Sequence, residues 1–262
     1  MCYDPTAKPP VPDGEKFPAR GEDIVLKADD GSQFAAFVAR SSQPSKAQVV
    51  IYPDVRGLHQ FYKELALRFA EVGINAIAID YFGRTAGLTA RDESFEFRPH
   101  VNQIELGSFS MDVHSALAYL AQEFGPGVST VVVGFCMGGT LALLTGTDPS
   151  FGFAGLIPFY AGLTRDFGGQ GTALENAVRV KYPVLGLFGG ADQGIPVEAV
   201  ERLDAMLDAS GIGHEIKIYP GAPHSFFDRK YTEFAEASGD AWRQMLAFIA
   251  RIGGAVQRPA AP

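Results

Sequence analysis

Short apolar runs alternate along this chain with longer stretches whose apolar residues recur at helical spacing. Ala47 to Tyr52, Ile74 to Ile79, Val131 to Phe135, Ala154 to Phe159, Pro183 to Phe188 and Glu215 to Tyr219 read as strands, most of them apolar enough to be buried on both faces. Between them, Phe61 to Glu71 puts Phe61, Leu65, Ala66 and Phe69 on one helical face before Gly73 stops it. Glu105 to Phe124 reads as a second helix, closed by Gly125-Pro126. Pro196 to Ala209 is a third, with proline near its first turn. Phe234 to Ile252 closes the chain. Ahead of all these, Ile24 to Ala28 and Phe34 to Ala39 flank Asp29-Asp30-Gly31-Ser32, a hairpin signal. Strands alternating with helices after an antiparallel start predict the α/β class, a mostly parallel sheet with helices on both faces and an antiparallel N-terminal hairpin. Asp80 to His100 is long, aromatic and arginine-rich, without a clear period, and a connection of that length is usually functional.

The same pattern divides the chain. Residues 1–20 hold Pro5, Pro9, Pro10, Pro12 and Pro18 and read as an extended lead-in. Residues 21–254 read as one domain, and 255–262 as a frayed tail. At 262 residues, 47% hydrophobic and 20% charged, the chain has the make-up of a soluble globular protein with a core that needs no staples. The net charge of -8 argues against a nucleic-acid partner, and means that an anionic substrate would need local arginines. No basic, apolar leader and no long apolar run is found, so no membrane span is expected. Cys2 lies in the proline-rich start and Cys136 in a buried-strand motif, so a structural disulfide is not expected and a reducing cytoplasm is the expected compartment.

Chemistry concentrates at Val131-Val132-Val133-Gly134-Phe135-Cys136-Met137-Gly138-Gly139. A buried strand entering a helix through one tight turn strains the central residue and thrusts its side chain outward, and flanking glycines remove the β-carbons that would clash. This is the nucleophile elbow of the α/β-hydrolase fold, with cysteine in place of serine. The plain alternative is a small buried cysteine in a glycine-rich turn. In that fold the acid and the histidine follow the nucleophile in order. Leu185 to Asp192 is an apolar strand that breaks at Gly189-Gly190 and delivers Asp192. Tyr219 to Phe226 is a strand end, a rigid Pro/Gly loop, and His224. Asp192 alone reads equally well as a cap of the turn before Pro196, and His224 alone as an ordinary loop histidine. The joint order Cys136, Asp192, His224 makes a triad the better reading. Among the other histidines, His59 at a helix start is the main rival. His100, His114 and His214 are poorer candidates. The remaining strand end, Pro53-Asp54-Val55-Arg56-Gly57, nominates the amides of Val55 and Met137 as the oxyanion hole and Asp54 as an acid near the thiol.

These segments together resemble the dienelactone hydrolase family over roughly residues 20–250. The resemblance is carried by Pro53 to Gly57, Gly134 to Gly139, Gly189 to Asp192 and Gly221 to Phe226. It implies a monomeric α/β-hydrolase that opens an unsaturated lactone of a dicarboxylic acid through a thioester. It also implies that the carboxylate at Asp54, commonly glutamate in the family, governs the thiol. The family's dienelactone-specific members grip the substrate carboxylate with arginines, one of them four residues after the histidine; here that position is Asp228. Arg84, Arg98 and Arg229 are the possible replacements. Tyr160 and Phe226, with Tyr81, Phe82, Phe95 and Phe97, are expected to wall the pocket.

The function expected is cysteine-dependent hydrolysis of a lactone or activated ester by a monomer or weak homodimer. The alternative is a redox-sensing or ligand-binding protein on a hydrolase scaffold, with Cys136 as a reactive thiol. His-Glu-x-x-His, paired Cys-x-x-Cys, Walker A and Gly-x-Gly-x-x-Gly motifs are missing, so no metal and no cofactor are indicated.

Overall fold

The computed structural model describes residues 8–11, 14 and 16–254. The frayed tail expected at 255–262, Cys2 and much of the lead-in lie outside these residues. The strands are β1 (Ala19–Lys27), β2 (Gln33–Ser41), β3 (Ala47–Tyr52), β4 (Asn75–Ile79), β5 (Ser129–Phe135), β6 (Gly155–Phe159), β7 (Val184–Gly189) and β8 (His214–Tyr219). The helices are α1 (Gln60–Glu71), α2 (Gly83–Ala86), α3 (Arg98–Val101), α4 (Leu106–Phe124), α5 (Met137–Thr145), α6 (Ala173–Asn176), α7 (Val197–Ser210) and α8 (Ala235–Gly254). β1 begins inside the segment expected to be an extended lead-in, because Ala19 and Arg20 pair with Ser41 and Arg40.

Among the described residues the strands form one eight-stranded sheet in the order β1-β2-β4-β3-β5-β6-β7-β8. The hairpin β1-β2 is antiparallel, as is the pairing of β2 with β4. All later pairings are parallel. This is the α/β-hydrolase arrangement. Its inner strands are buried along their whole length, which is why they read as continuous apolar runs rather than as alternation. α1 and α8 meet on one side of the sheet, where Phe69 packs on Trp242 with ring centroids 5.1 Å apart. α4 and α5 pack together against the other side.

The two rims of the sheet differ from its interior. β1 exposes Arg20, Glu22, Asp23 and Lys27. β8 carries Glu215 and Lys217, which reach Arg251 and Asp240 on α8.

From β3 the sheet grows toward β4 on one side and toward β5 on the other, so a crevice opens beyond the carboxyl ends of β3 and β5. Asp54, Val55, Cys136, Tyr160, Asp192, His224 and Phe226 lie at or beyond the carboxyl ends of β3, β5, β6, β7 and β8, and Met137 begins α5 at that same end of the sheet.

Candidate active site

Cys136 follows β5 directly and caps α5, with φ 54° and ψ −113°. A non-glycine residue there costs on the order of 1–3 kcal/mol and persists only where its surroundings hold it. The glycines beside it make the turn possible. A β-carbon at Gly134 would lie 2.2 Å from the Gly138 carbonyl oxygen, and one at Gly138 would lie 2.2 Å from that of Tyr52 and 2.3 Å from that of Pro53. The elbow is therefore wedged against the end of β3. The Cys136 amide donates to the Phe159 carbonyl at 3.0 Å, which ties it to β6 as well. The cysteine is half-buried, free, and opens into a cavity of about 860 Å³.

Asp192 and His224 line the same cavity. The Nδ1–H of His224 donates to Oδ2 of Asp192 at 2.6 Å, a short charge-assisted bond. Oδ1 of Asp192 accepts the Gly194 amide at 2.8 Å. The aspartate is thus both a turn cap and the partner of the imidazole, one oxygen for each. The imidazole also interacts with the Cys136 side chain. Burial alone would depress the histidine, but the hydrogen bonds to Asp192 and Cys136, and the charges behind them, push it up to about 10. The rival histidine is elsewhere: His59 caps α1, its Nδ1 accepting the Phe61 amide and its Nε2 meeting Glu93 at 3.1 Å. His100 stacks on Phe95, His114 stacks on Phe151, and His214 pairs with Asp204.

Met137 begins α5, lines the cavity, and its amide donates no hydrogen bond among the described residues. Val55 is half-buried in the loop after β3 and is not part of the cavity lining. Its neighbour Asp54 is buried and taken up by Arg56. Oδ1 of Asp54 accepts the Arg56 amide at 2.8 Å, and the guanidinium lies 2.8–3.0 Å from both carboxylate oxygens. Burial works to raise this carboxyl, but the charge and hydrogen bonds of Arg56 hold it below its ordinary value. The contacts found for Asp54 therefore run to Arg56. Arg56 Nη2 also lies 3.6 Å from Asp228, a second buried carboxyl, which burial holds above its ordinary value against the pull of the same guanidinium.

Of the three arginines, Arg229 lines the cavity. Arg84 is turned away, bound to Asp30, Ser32 and, at 2.6 Å, Asp112. Arg98 is exposed, pairs with Glu96 and lies over Phe97. Neither reaches the thiol's cavity. The aromatic wall is corrected too. Tyr160 and Phe226 are fully buried beneath the cavity. Tyr81 and Phe82 belong to the core, while Phe95 and Phe97 line a separate space of about 180 Å³ with Arg56 and His59. The cavity's far wall comes instead from the segment after β6, with Gly162, Thr164, Arg165 and Phe167. Sequence reading left this segment unassigned. Its one strong local signal is Thr172-x-x-Glu175, the capping box that starts α6.

Comparison with known proteins agrees with this architecture. The model described as "Dienelactone hydrolase family" matches residues 34–253. A protein of Salmonella typhimurium named "Putative carboxymethylenebutenolidase" is 28% identical over 251 residues, covering 93% of this chain and 91% of its own. A protein of the same name from Saccharolobus solfataricus is also 28% identical and covers 88% of this chain and 99% of its own. Among solved structures, a dienelactone hydrolase-like promiscuous phosphotriesterase from metagenomic libraries superposes with a TM-score of 0.72 at 20% identity, over 89% of this chain and 98% of its own, a likeness of fold. No helix among the described residues is long and apolar enough to cross a membrane.

Proposed function

The chain belongs to the dienelactone hydrolase family and is a carboxylic ester or lactone hydrolase, and from that premise we propose that it works through a thioester formed on Cys136. The observation that carries this reading is the 2.6 Å contact between His224 and Asp192 in the cavity that Cys136 lines from a strained elbow. Asp192 fixes which ring nitrogen faces the sulfur, and the raised imidazole already holds on Nε2 the proton that Cys136 gives up, so the pair is ready before the substrate arrives. The sulfur attacks the acyl carbon. The negative charge on the carbonyl oxygen is met by the Met137 amide at the start of α5 and by the Val55 amide, a contribution of a few kcal/mol per donor.

The carbon–oxygen bond then breaks, and the alkoxide takes the proton from His224. In a lactone the alkoxide stays tethered to the acyl group. Water, giving its proton to His224, attacks the thioester, the carbon–sulfur bond breaks to release the acid, and the imidazole again carries the proton beside the freed sulfur. A thiol suits activated esters and lactones. Arg229 brings a guanidinium to the cavity wall, where it would meet an anionic substituent on the substrate. A catalytic thiol is best kept in a reducing compartment, in keeping with a cytoplasmic enzyme.

The test is substitution of the sulfur. Cys136→Ala abolishes turnover of an activated aryl ester, and Cys136→Ser leaves weak activity because the proton relay survives. Mass spectrometry after rapid quenching with a slow ester finds the acyl group on the Cys136 peptide. Undiminished turnover in Cys136→Ala would remove the mechanism.

A further inference from the structure

Three residues other than glycine hold positive φ among the described residues: Cys136 at 54°, Tyr160 at 33° and Ser225 at 59°. The first is the elbow. The other two flank His224. Ser225 is its neighbour in the chain, and the Tyr160 ring lies 5.0 Å from the imidazole, centroid to centroid. Strained backbone of this kind lasts only where packing over-determines it. One side chain joins both sites. Oδ2 of Asp228 accepts the Tyr160 hydroxyl at 3.2 Å, and Oδ1 accepts the Arg229 amide. Arg229 in turn donates from Nη2 to Oγ of Ser225 at 2.7 Å. Asp228 is 1% exposed, so no solvent competes for these bonds.

We propose that Asp228 is a positioning residue for the hydrolysis: with Tyr160 it clamps the end of β6 to the loop that carries His224, and so fixes the imidazole against Cys136. The physical reason is geometric. β6 holds the Cys136 amide through the Phe159 carbonyl. The next residue, Tyr160, reaches the histidine loop through Asp228. Nucleophile and base are thereby referred to one strand end, and the reach between sulfur and ring nitrogen is held to a fraction of an ångström. A bystander role is the contrary case, in which Asp228 only balances the charges of Arg56 and Arg229, each 3.6 Å away.

The inference rests on the assignment of Cys136 as nucleophile, and its test separates the two. Tyr160→Phe removes the hydroxyl and keeps the ring against His224. In it, kcat for an aryl ester falls about tenfold while KM stays within about twofold, the pattern of a lost alignment rather than lost binding. The rate of Cys136 alkylation by iodoacetamide at neutral pH falls with it, a readout that mere destabilisation of a still-folded enzyme would not move. Asp228→Asn keeps both contacts, its carbonyl oxygen accepting the Arg229 amide and its amide nitrogen donating to the Tyr160 oxygen, and holds kcat within about threefold of wild type. Asp228→Ala loses about a hundredfold; should it fail to fold, the other two variants carry the test. Wild-type kcat and alkylation in Tyr160→Phe overturn the proposal, and so does an Asp228→Asn variant impaired far beyond Tyr160→Phe, which is the signature of charge balance. Turnover that survives Cys136→Ala is a different result. It removes the nucleophile, while the alkylation rates still report where the imidazole stands.

Discussion

Gly138→Ala is the sharpest probe of the elbow. The added β-carbon would sit 2.2 Å from the Tyr52 carbonyl oxygen and 2.3 Å from that of Pro53. Both are backbone atoms, so no flexible side chain can swing aside. Ordinary contact begins at roughly 3.5 Å, and the first turn of α5 must therefore withdraw from the β3 loop by about 1 Å. That gap separates the Met137 amide from the Val55 amide, the two groups assigned to the oxyanion. Losing one such donor costs about 10²–10³-fold in kcat, so a fall of at least about a hundredfold is expected. Forced separation of packed backbone also destabilises by about 1–3 kcal/mol. The assay pairs initial rates on an aryl ester with urea unfolding. Gly107→Ala is the control: this residue lies in the first turn of α4, where a β-carbon meets nothing within 4 Å, and it should behave as wild type. Full kcat in Gly138→Ala at unchanged stability would refute the reasoning, since the wedge would then set no distance that catalysis needs.

Other expectations follow from the charges. His224 is raised from 6.5 to about 10 by its partners, so its contribution to stability is fully present below about pH 6.5 and is lost as pH rises toward 10. Thermal unfolding from pH 6 to 10 should show a decline that Asp192→Asn flattens. Arg84→Ala should leave kcat/KM within about twofold, because Arg84 is spent on Asp30 and Asp112. It strands the buried Asp112, which burial already lifts to about 6, and should lower stability at pH 7 by about 2–3 kcal/mol in urea unfolding. His59→Gln should likewise retain the aryl-ester rate, whereas His224→Gln should lose it.

Much of the fold could be read in advance because it is written in short-range pattern. The buried strands are unbroken apolar runs, and glycine or proline marks the ends of β3, β7 and β8. The candidate site was legible for a related reason: Cys136, Asp192 and His224 each follow a strand end, and that order in a parallel sheet leads them to one cavity. What escaped depends on long-range approach. Arg84 finds Asp30 across 54 residues, and nothing local announces it. Arg56 and Asp54 are two residues apart, yet their pairing inside the protein depends on burial by the neighbouring loops. Tyr160 and Phe226 looked like pocket aromatics because they adjoin the right strand ends, but positive φ at Tyr160 turns its ring under the histidine. The segment from Gly162 to Phe167 has no period to find, and it supplies a wall of the cavity.

The rims of the sheet carry a last consequence. Among the described residues β1 and β8 have no outer neighbour, and such a rim is a template on which another chain can add a strand. Arg20, Glu22, Asp23 and Lys27 stand along the first rim, and the Glu215–Arg251 and Lys217–Asp240 pairs guard the second. A copy that tried to dock there would have to strip water from these ions. Exchanging the β1 charges for valine or threonine would remove that barrier, and the protein would be expected to grow into ribbons at high concentration.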